Sequence, residues 1–295
     1  MRRRTGLPIA AVAAVAALFT GTASAASAAE PVRYVALGDS YTSGPFIPLM
    51  RLDPLGCARS TNNYPSLLSR KLDTASFTDV SCGGAATANM TTSQSVPLGS
   101  NPPQFNALRA NTDLVTVGIG GNDFNLFGTL ISACPKLRAG DPTGNPCQRK
   151  FTVDGVDTMK VTAAKIRPRI AEVLAGIHAR SPRAKVLAVG YPRIAPATGY
   201  CPDILPFADG DYAWLNSIEE ALNQAVSDAV ADDGSSSYVD TYTPSLGHDA
   251  CAPDGAAWIN GKDLNIFAAA QYHPFRAGME GVASVLYRAL AAARR

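Results

Sequence analysis

Five short apolar runs, separated by helical patterns and long loops, constrain this chain more than any other feature. Val32 to Gly38, Phe77 to Ser81, Leu114 to Ile119, Val186 to Val189 and Tyr238 to Tyr242 read as strands. The runs at Leu114 and Val186 lack polar alternation, as strands covered on both faces do. Between them, Asn63 to Leu72 sets Tyr64, Leu67, Leu68 and Leu72 at helical spacing. Pro102 and Pro103 suit the first turn of a helix reaching Leu108. A long segment from about Asp154 to His178 carries Ile166, Ile170, Val173, Leu174 and Ile177 on one side. Further helices are expected over Tyr212 to Val230 and Gly278 to Ala292. Strands alternating with helices imply a parallel sheet between two helical layers, in one α/β domain spanning 30–295. The stretches 44–62, 133–153 and 191–210, rich in Gly, Pro and Cys, read as loops.

The first 29 residues are expected to lie outside that fold. Arg2, Arg3 and Arg4 form a positive head, and Leu7 to Phe19 is an apolar run of signal-peptide length. The run is short for a membrane span. Ala23 to Ala29 then offers several cleavage positions. A secreted, extracellular protein is expected, and the three adjacent arginines leave a twin-arginine export route open.

Composition narrows the function. The chain has 26 Lys+Arg against 24 Asp+Glu, a formal net charge of +2. Without Arg2 to Arg4 the remainder is near neutral, which argues against a nucleic-acid partner. The six cysteines fit an oxidising exterior. None shows C-x-x-C spacing and there are three histidines, so a metal cluster is not expected. Six cysteines allow 15 pairings. Pairing of neighbours in order is expected: Cys57–Cys82, Cys134–Cys147 and Cys201–Cys251, each stapling one loop.

Four short motifs offer chemistry. Gly38-Asp39-Ser40-Tyr41 follows the first strand, at the edge where open parallel sheets collect ligands. Cys82-Gly83-Gly84-Ala85 follows the second, and its glycines allow a backbone N–H to approach an oxyanion. Gly118-Ile119-Gly120-Gly121-Asn122-Asp123 follows the third. It fails as a dinucleotide loop, because Asp123 stands where G-x-G-x-x-G needs glycine, whereas Asn122 can aim an amide N–H at developing charge. His273 precedes Pro274, which disfavours helix and suggests a loop. His248 is the runner-up base, and His178 reads as a helix-end residue.

Taken together and in this order, the four motifs resemble the GDSL family of SGNH hydrolases, most closely the secreted lipases and esterases of actinobacteria. The resemblance spans Tyr34 to about Met279. It implies a three-layer α/β/α sandwich, flavodoxin-like, with a five-stranded parallel sheet. It implies Ser40 as nucleophile and His273 as general base. The Ser40 N–H, Gly84 and Asn122 form the implied oxyanion hole, and no cofactor or metal is required. The family usually has an acid three residues before the histidine, where this chain has Ala270. The Ala270 carbonyl is therefore expected to orient the imidazole, with Asp263 or Asp249 as the acids to test. The substrate is expected to be a lipid or small-molecule ester, handled by a monomer with transient lipid-interface contact. The apolar runs 46–50 and 124–127 are candidates for an acyl pocket. Alternatives are a phospholipase A, a polysaccharide acetylesterase, or, in a different class, an inactive secreted binding module.

Overall fold

A computed structural model describes residues 32–292. The expected leader, residues 1–29, lies outside the described residues.

The central sheet has five strands: β1 (Arg33–Gly38), β2 (Ser76–Asp79), β3 (Leu114–Gly118), β4 (Lys185–Val189) and β5 (Ser237–Val239). Their order is β2-β1-β3-β4-β5, and every neighbouring pair is parallel. This is the doubly wound order whose direction of travel reverses between β1 and β3.

The helices are α1 (Ser40–Ser43), α2 (Tyr64–Leu72), α3 (Leu126–Arg138), α4 (Pro146–Phe151), α5 (Thr158–Ala164), α6 (Ile166–Arg180), α7 (Tyr212–Asp233) and α8 (Arg276–Ala292). Strand residues alternate between two cores, because successive side chains leave opposite faces of a sheet. Val35, Leu37, Val115, Val117, Val186 and Ala188 pack with Ile166, Ile170, Leu174, Ile218 and Leu222 from α6 and α7. Tyr34, Ala36, Leu114, Leu187 and Val189 pack with Tyr64, Leu68, Met279 and Leu286 from α2 and α8. The result is the three-layer α/β/α sandwich expected from the sequence.

Three expected elements differ, each for a local reason. The segment expected as one helix from Asp154 begins as a hairpin, Thr152–Val153 against Val156–Asp157. Asp154 and Gly155 turn it with φ of 50° and 78°, the left-handed pair that a tight hairpin favours. The helix then starts at Thr158 and is interrupted at Lys165 before α6 begins. Pro168 lies in the first turn of α6, where its missing N–H is tolerated. The Pro102-Pro103 helix shrinks to a 3-10 turn, Gln104–Ala107. The stretch read as loop at 133–153 contains the end of α3 and all of α4, with Pro135 inside the helix.

Candidate active site

The switch between β1 and β3 brings the first and third motifs together. Gly38 and Gly118 lie opposite each other at the ends of these strands. A Cβ on Gly38 would meet the Gly118 carbonyl at 2.6 Å, so only glycine allows this approach. The Gln104 side chain then fixes Gly38 from both sides: its Oε1 accepts the Gly38 N–H at 2.8 Å and its Nε2 donates to the Gly38 carbonyl at 2.9 Å. Asp39 follows as N-cap of the short helix α1, its Oδ1 accepting the Tyr41 N–H at 2.9 Å. Ser40 opens that helix at the mouth of a cavity.

His273 reaches Ser40 from the far end of the chain, with Nε2 2.8 Å from Ser40 Oγ. The loop that carries it is held at several points. Asn260 accepts nothing from the ring but anchors its backbone, donating from Nδ2 to the Ala270 carbonyl at 2.9 Å and from its N–H to the His273 carbonyl at 2.9 Å. The Ala270 N–H donates to the Pro45 carbonyl at 3.1 Å. Tyr41 Oη donates to the Tyr272 carbonyl at 2.6 Å, and its ring lies 5.3 Å from the imidazole.

The expected role of Ala270 is corrected by this geometry. His273 Nδ1 lies 2.5 Å from the carbonyl of Gln271, not of Ala270. Tyr272, between them, has a left-handed φ of 57°, which curls the Gln271 carbonyl back toward the ring. The Ala270 carbonyl is already taken by Asn260 and by the His273 N–H at 3.3 Å. Neither suspected acid replaces it. Asp249 Oδ1 accepts the Cys251 N–H, and the Asp263 carboxylate lies beside Lys262.

The tautomer follows. A carbonyl oxygen only accepts, so Nδ1 carries the proton and Nε2 presents its lone pair to the Ser40 hydroxyl. Burial holds the imidazole below its ordinary pKa, with the Gln271 carbonyl pulling the other way. The neutral ring is therefore favoured at neutral pH.

Three donors remain around the hydroxyl's motifs. The N–H groups of Ser40 and Gly84 find no acceptor among the described residues. Gly84 has a φ of 74°, a turn conformation that glycine adopts without strain. Its loop is tied down by the Cys57–Cys82 pair and by the Gly83 N–H, which donates to the Cys57 carbonyl at 2.9 Å. Asn122 donates from Nδ2 to the Ala85 carbonyl at 2.9 Å, which fixes its amide beside the Gly84 loop. All three cysteine pairs join neighbours in order.

The other two histidines are engaged elsewhere. His178 Nε2 lies 3.2 Å from Asp233 Oδ2 at the end of α6. His248 stacks on Trp258 with ring centroids 4.9 Å apart, and its Nδ1 lies 2.7 Å from the Ala256 carbonyl.

A partly open cavity lies beside Ser40 and Asn122. Leu126, Phe127, Leu130, Phe207, Ile218 and Leu222 contribute apolar wall. Of the two apolar runs singled out in the sequence, only Leu126 and Phe127 reach it. Ile47 is buried in the core beneath α2 and α8, Leu49 is 72% exposed, and Phe124 faces a different groove.

Tyr191 and Asp39 form a buried support that sequence reasoning missed. Tyr191 Oη donates to Asp39 Oδ2 at 2.5 Å and accepts the Gly121 N–H at 2.8 Å. One hydroxyl thus links the residue before Ser40 to the residue before Asn122. Burial pushes the Asp39 carboxyl up to about 7, against the pull of the Tyr191 hydroxyl and the Tyr41 N–H. The only sequence signal is a tyrosine two residues after the buried β4 run, at the carboxyl end of the strand.

Known proteins share this arrangement of strands and helices. The chain is 42% identical over 261 residues to a lipase of Streptomyces coelicolor, Lipase 2, covering 84% of each chain. The crystal structure of phospholipase A1 from Streptomyces albidoflavus superimposes with a TM-score of 0.72 at 28% identity, covering 86% of this chain and 98% of that one. An extracellular lipase from Streptomyces rimosus gives 0.67 at 28% identity, covering 88% and 99%. Residues 36–280 match the GDSL-like lipase/acylhydrolase family. With the sandwich fold and the four motifs gathered at one strand edge, the chain belongs to that family.

Proposed function

We propose that this protein is a secreted serine carboxylic-ester hydrolase that cleaves fatty-acyl esters through an acyl-enzyme. The observation that carries this reading is the 2.8 Å contact between Ser40 Oγ and the lone pair of His273 Nε2, at the mouth of an apolar cavity. The expected leader, the three cysteine pairs and the extracellular relative support secretion.

In this mechanism His273 Nε2 accepts the Ser40 proton as Oγ attacks the ester carbonyl. The Ser40 and Gly84 N–H groups and the Asn122 amide stabilise the tetrahedral oxyanion. The Gln271 carbonyl keeps the proton on Nδ1 and orients the ring. It brings a partial rather than a full negative charge to the imidazolium. Protonated His273 donates to the leaving alcohol, and water then attacks the acyl-enzyme with the same base. The ester is split into acid and alcohol with no redox change and no cofactor.

A phospholipase A reading of the same nucleophile has one specific support, the likeness to phospholipase A1. A polysaccharide acetylesterase would call for an open polar groove, which the apolar cavity does not resemble. Both are separated by one panel: acetate esters, long-chain esters and phosphatidylcholine, assayed with the wild type and Ser40→Ala. Turnover that rises with acyl length and vanishes in S40A supports the fatty-acyl reading. Turnover confined to acetate, or equal turnover by S40A, overturns it.

A further inference from the structure

Besides the catalytic end with Asp39, Ser40, Asn122 and Tyr191, the cavity has a second polar place, on the wall contributed by α7. Asn216 and Glu219 both line it, three residues apart on the helix and so on the same face. Each engages one of its two terminal polar atoms with the protein. Asn216 Nδ2 donates to the Pro196 carbonyl at 2.7 Å, and Glu219 Oε2 accepts the Ile194 N–H at 3.1 Å. Their other oxygens, Asn216 Oδ1 and Glu219 Oε1, are buried and have no partner among the described residues. Asn216 as a whole is 6% exposed. Buried polar groups are ordinarily paired, so two orphaned oxygens on neighbouring residues of the cavity wall leave unmet hydrogen-bonding capacity for a ligand atom.

We propose that the cavity is built for an acyl chain bearing a hydroxyl group, which is received between Asn216 Oδ1 and Glu219 Oε1. This rests on the ester-hydrolase reading above and specifies its substrate class as hydroxyacyl esters. Burial pushes the Glu219 carboxyl up to about 8, with the Ile194 N–H and the Arg193 charge pulling it down. At neutral pH the group therefore keeps its proton. Because Oε2 already accepts from Ile194, the proton is available on Oε1. The pair then offers one donor and one acceptor, which is the complement of an alcohol, itself both donor and acceptor. A plain alkyl chain in the same space would dehydrate both groups and pair neither.

The test is a comparison of kcat/KM for p-nitrophenyl decanoate and its monohydroxylated isomers, with serine-directed phosphonate labelling in parallel. The wild type should favour at least one hydroxylated isomer by about tenfold or more, since a site built to bond a hydroxyl discriminates strongly against its absence. The favoured isomer reports how deep the pair sits. In Asn216→Leu and Glu219→Leu the preference should fall to parity or reverse. Glu219→Gln, which keeps an acceptor for Ile194 and an N–H donor for the ligand, should retain most of it, and it also guards against a leucine variant that fails to fold. A wild type that labels at Ser40 and hydrolyses the plain ester as fast as every isomer overturns this proposal alone. No turnover of any ester together with no labelling removes the ester-hydrolase reading, and this proposal with it.

Discussion

Replacing Tyr191 with phenylalanine tests whether the active-site loops are held by one buried hydroxyl. The ring stays and one oxygen goes, so little packing changes. Two groups lose their partner: Asp39 Oδ2, bonded at 2.5 Å, and the Gly121 N–H, bonded at 2.8 Å. An unsatisfied buried group costs about 1–3 kcal/mol, giving about 2–6 kcal/mol for the pair. The cost should depend on pH. The Tyr191 hydroxyl holds the Asp39 pKa down, at about 7 against the larger effect of burial, so Y191F raises it further. Each added unit is worth about 1.4 kcal/mol once the carboxyl is ionised. At pH 5 Asp39 is protonated in both proteins and the loss should lie near the low end of the range. At pH 8 the wild-type carboxylate loses its donor and the loss should be larger. Urea unfolding at the two pH values, with the slope m unchanged, reads both numbers. Because Gly121 precedes Asn122, kcat should also fall about tenfold to a hundredfold through misplacement of an oxyanion donor. A stability loss under about 0.5 kcal/mol, or one of equal size at both pH values, would refute the reasoning.

Four other expectations follow from the same geometry. Asn122→Ala should lower kcat by about 10²–10³ with little change in KM, because its amide acts on charge that develops in the transition state; a purely KM effect speaks against that role. The acid limb of the kcat/KM profile should lie below the ordinary imidazole range: His273 must be neutral to accept the proton, and burial lowers its pKa, so activity persists until pH drops through that lowered value. Asp39→Asn should flatten the pH dependence of stability. The folded-state pKa of about 7 exceeds the ordinary 3.8, so stability is full below the lower value and is lost as pH rises through the upper; an unchanged urea midpoint profile between those values contradicts it. Removing the Cys57–Cys82 pair by a double serine substitution should cost about 3–4 kcal/mol in the chain-entropy model, with the separation of 25 residues setting the size, and it should also reduce activity by loosening the Gly84 loop.

Much of the fold was legible because burial writes itself into composition. The strands at Leu114 and Val186 are apolar on both faces, and the amphipathic spacing of Ile166, Ile170, Val173, Leu174 and Ile177 is the buried side of α6. The misreadings fell where one residue overrides a pattern. Asp154-Gly155 turns a hairpin inside an apparent helix, and Pro135 is tolerated within α3 although it suggested a loop. At the site, motif order was enough to single out Ser40 and His273, which the fold brings to 2.8 Å. It was not enough to choose the carbonyl. Gln271 and Ala270 each have one, and the choice depends on the left-handed turn at Tyr272 and on Asn260, which claims Ala270 first. Tyr191 was equally hidden, since its link to Asp39 spans 152 positions and is created by the strand order alone. Asn216 and Glu219 lie inside the helix expected over Tyr212 to Val230, and only the fold sets them at the cavity wall.

The most direct test of the account is mass-spectrometric mapping of the adduct formed with a fluorophosphonate. The account predicts one adduct per chain, on the peptide containing Ser40, absent in Ser40→Ala and formed about a thousandfold more slowly in His273→Ala. An adduct on any other serine, or labelling of H273A at the wild-type rate, would contradict it.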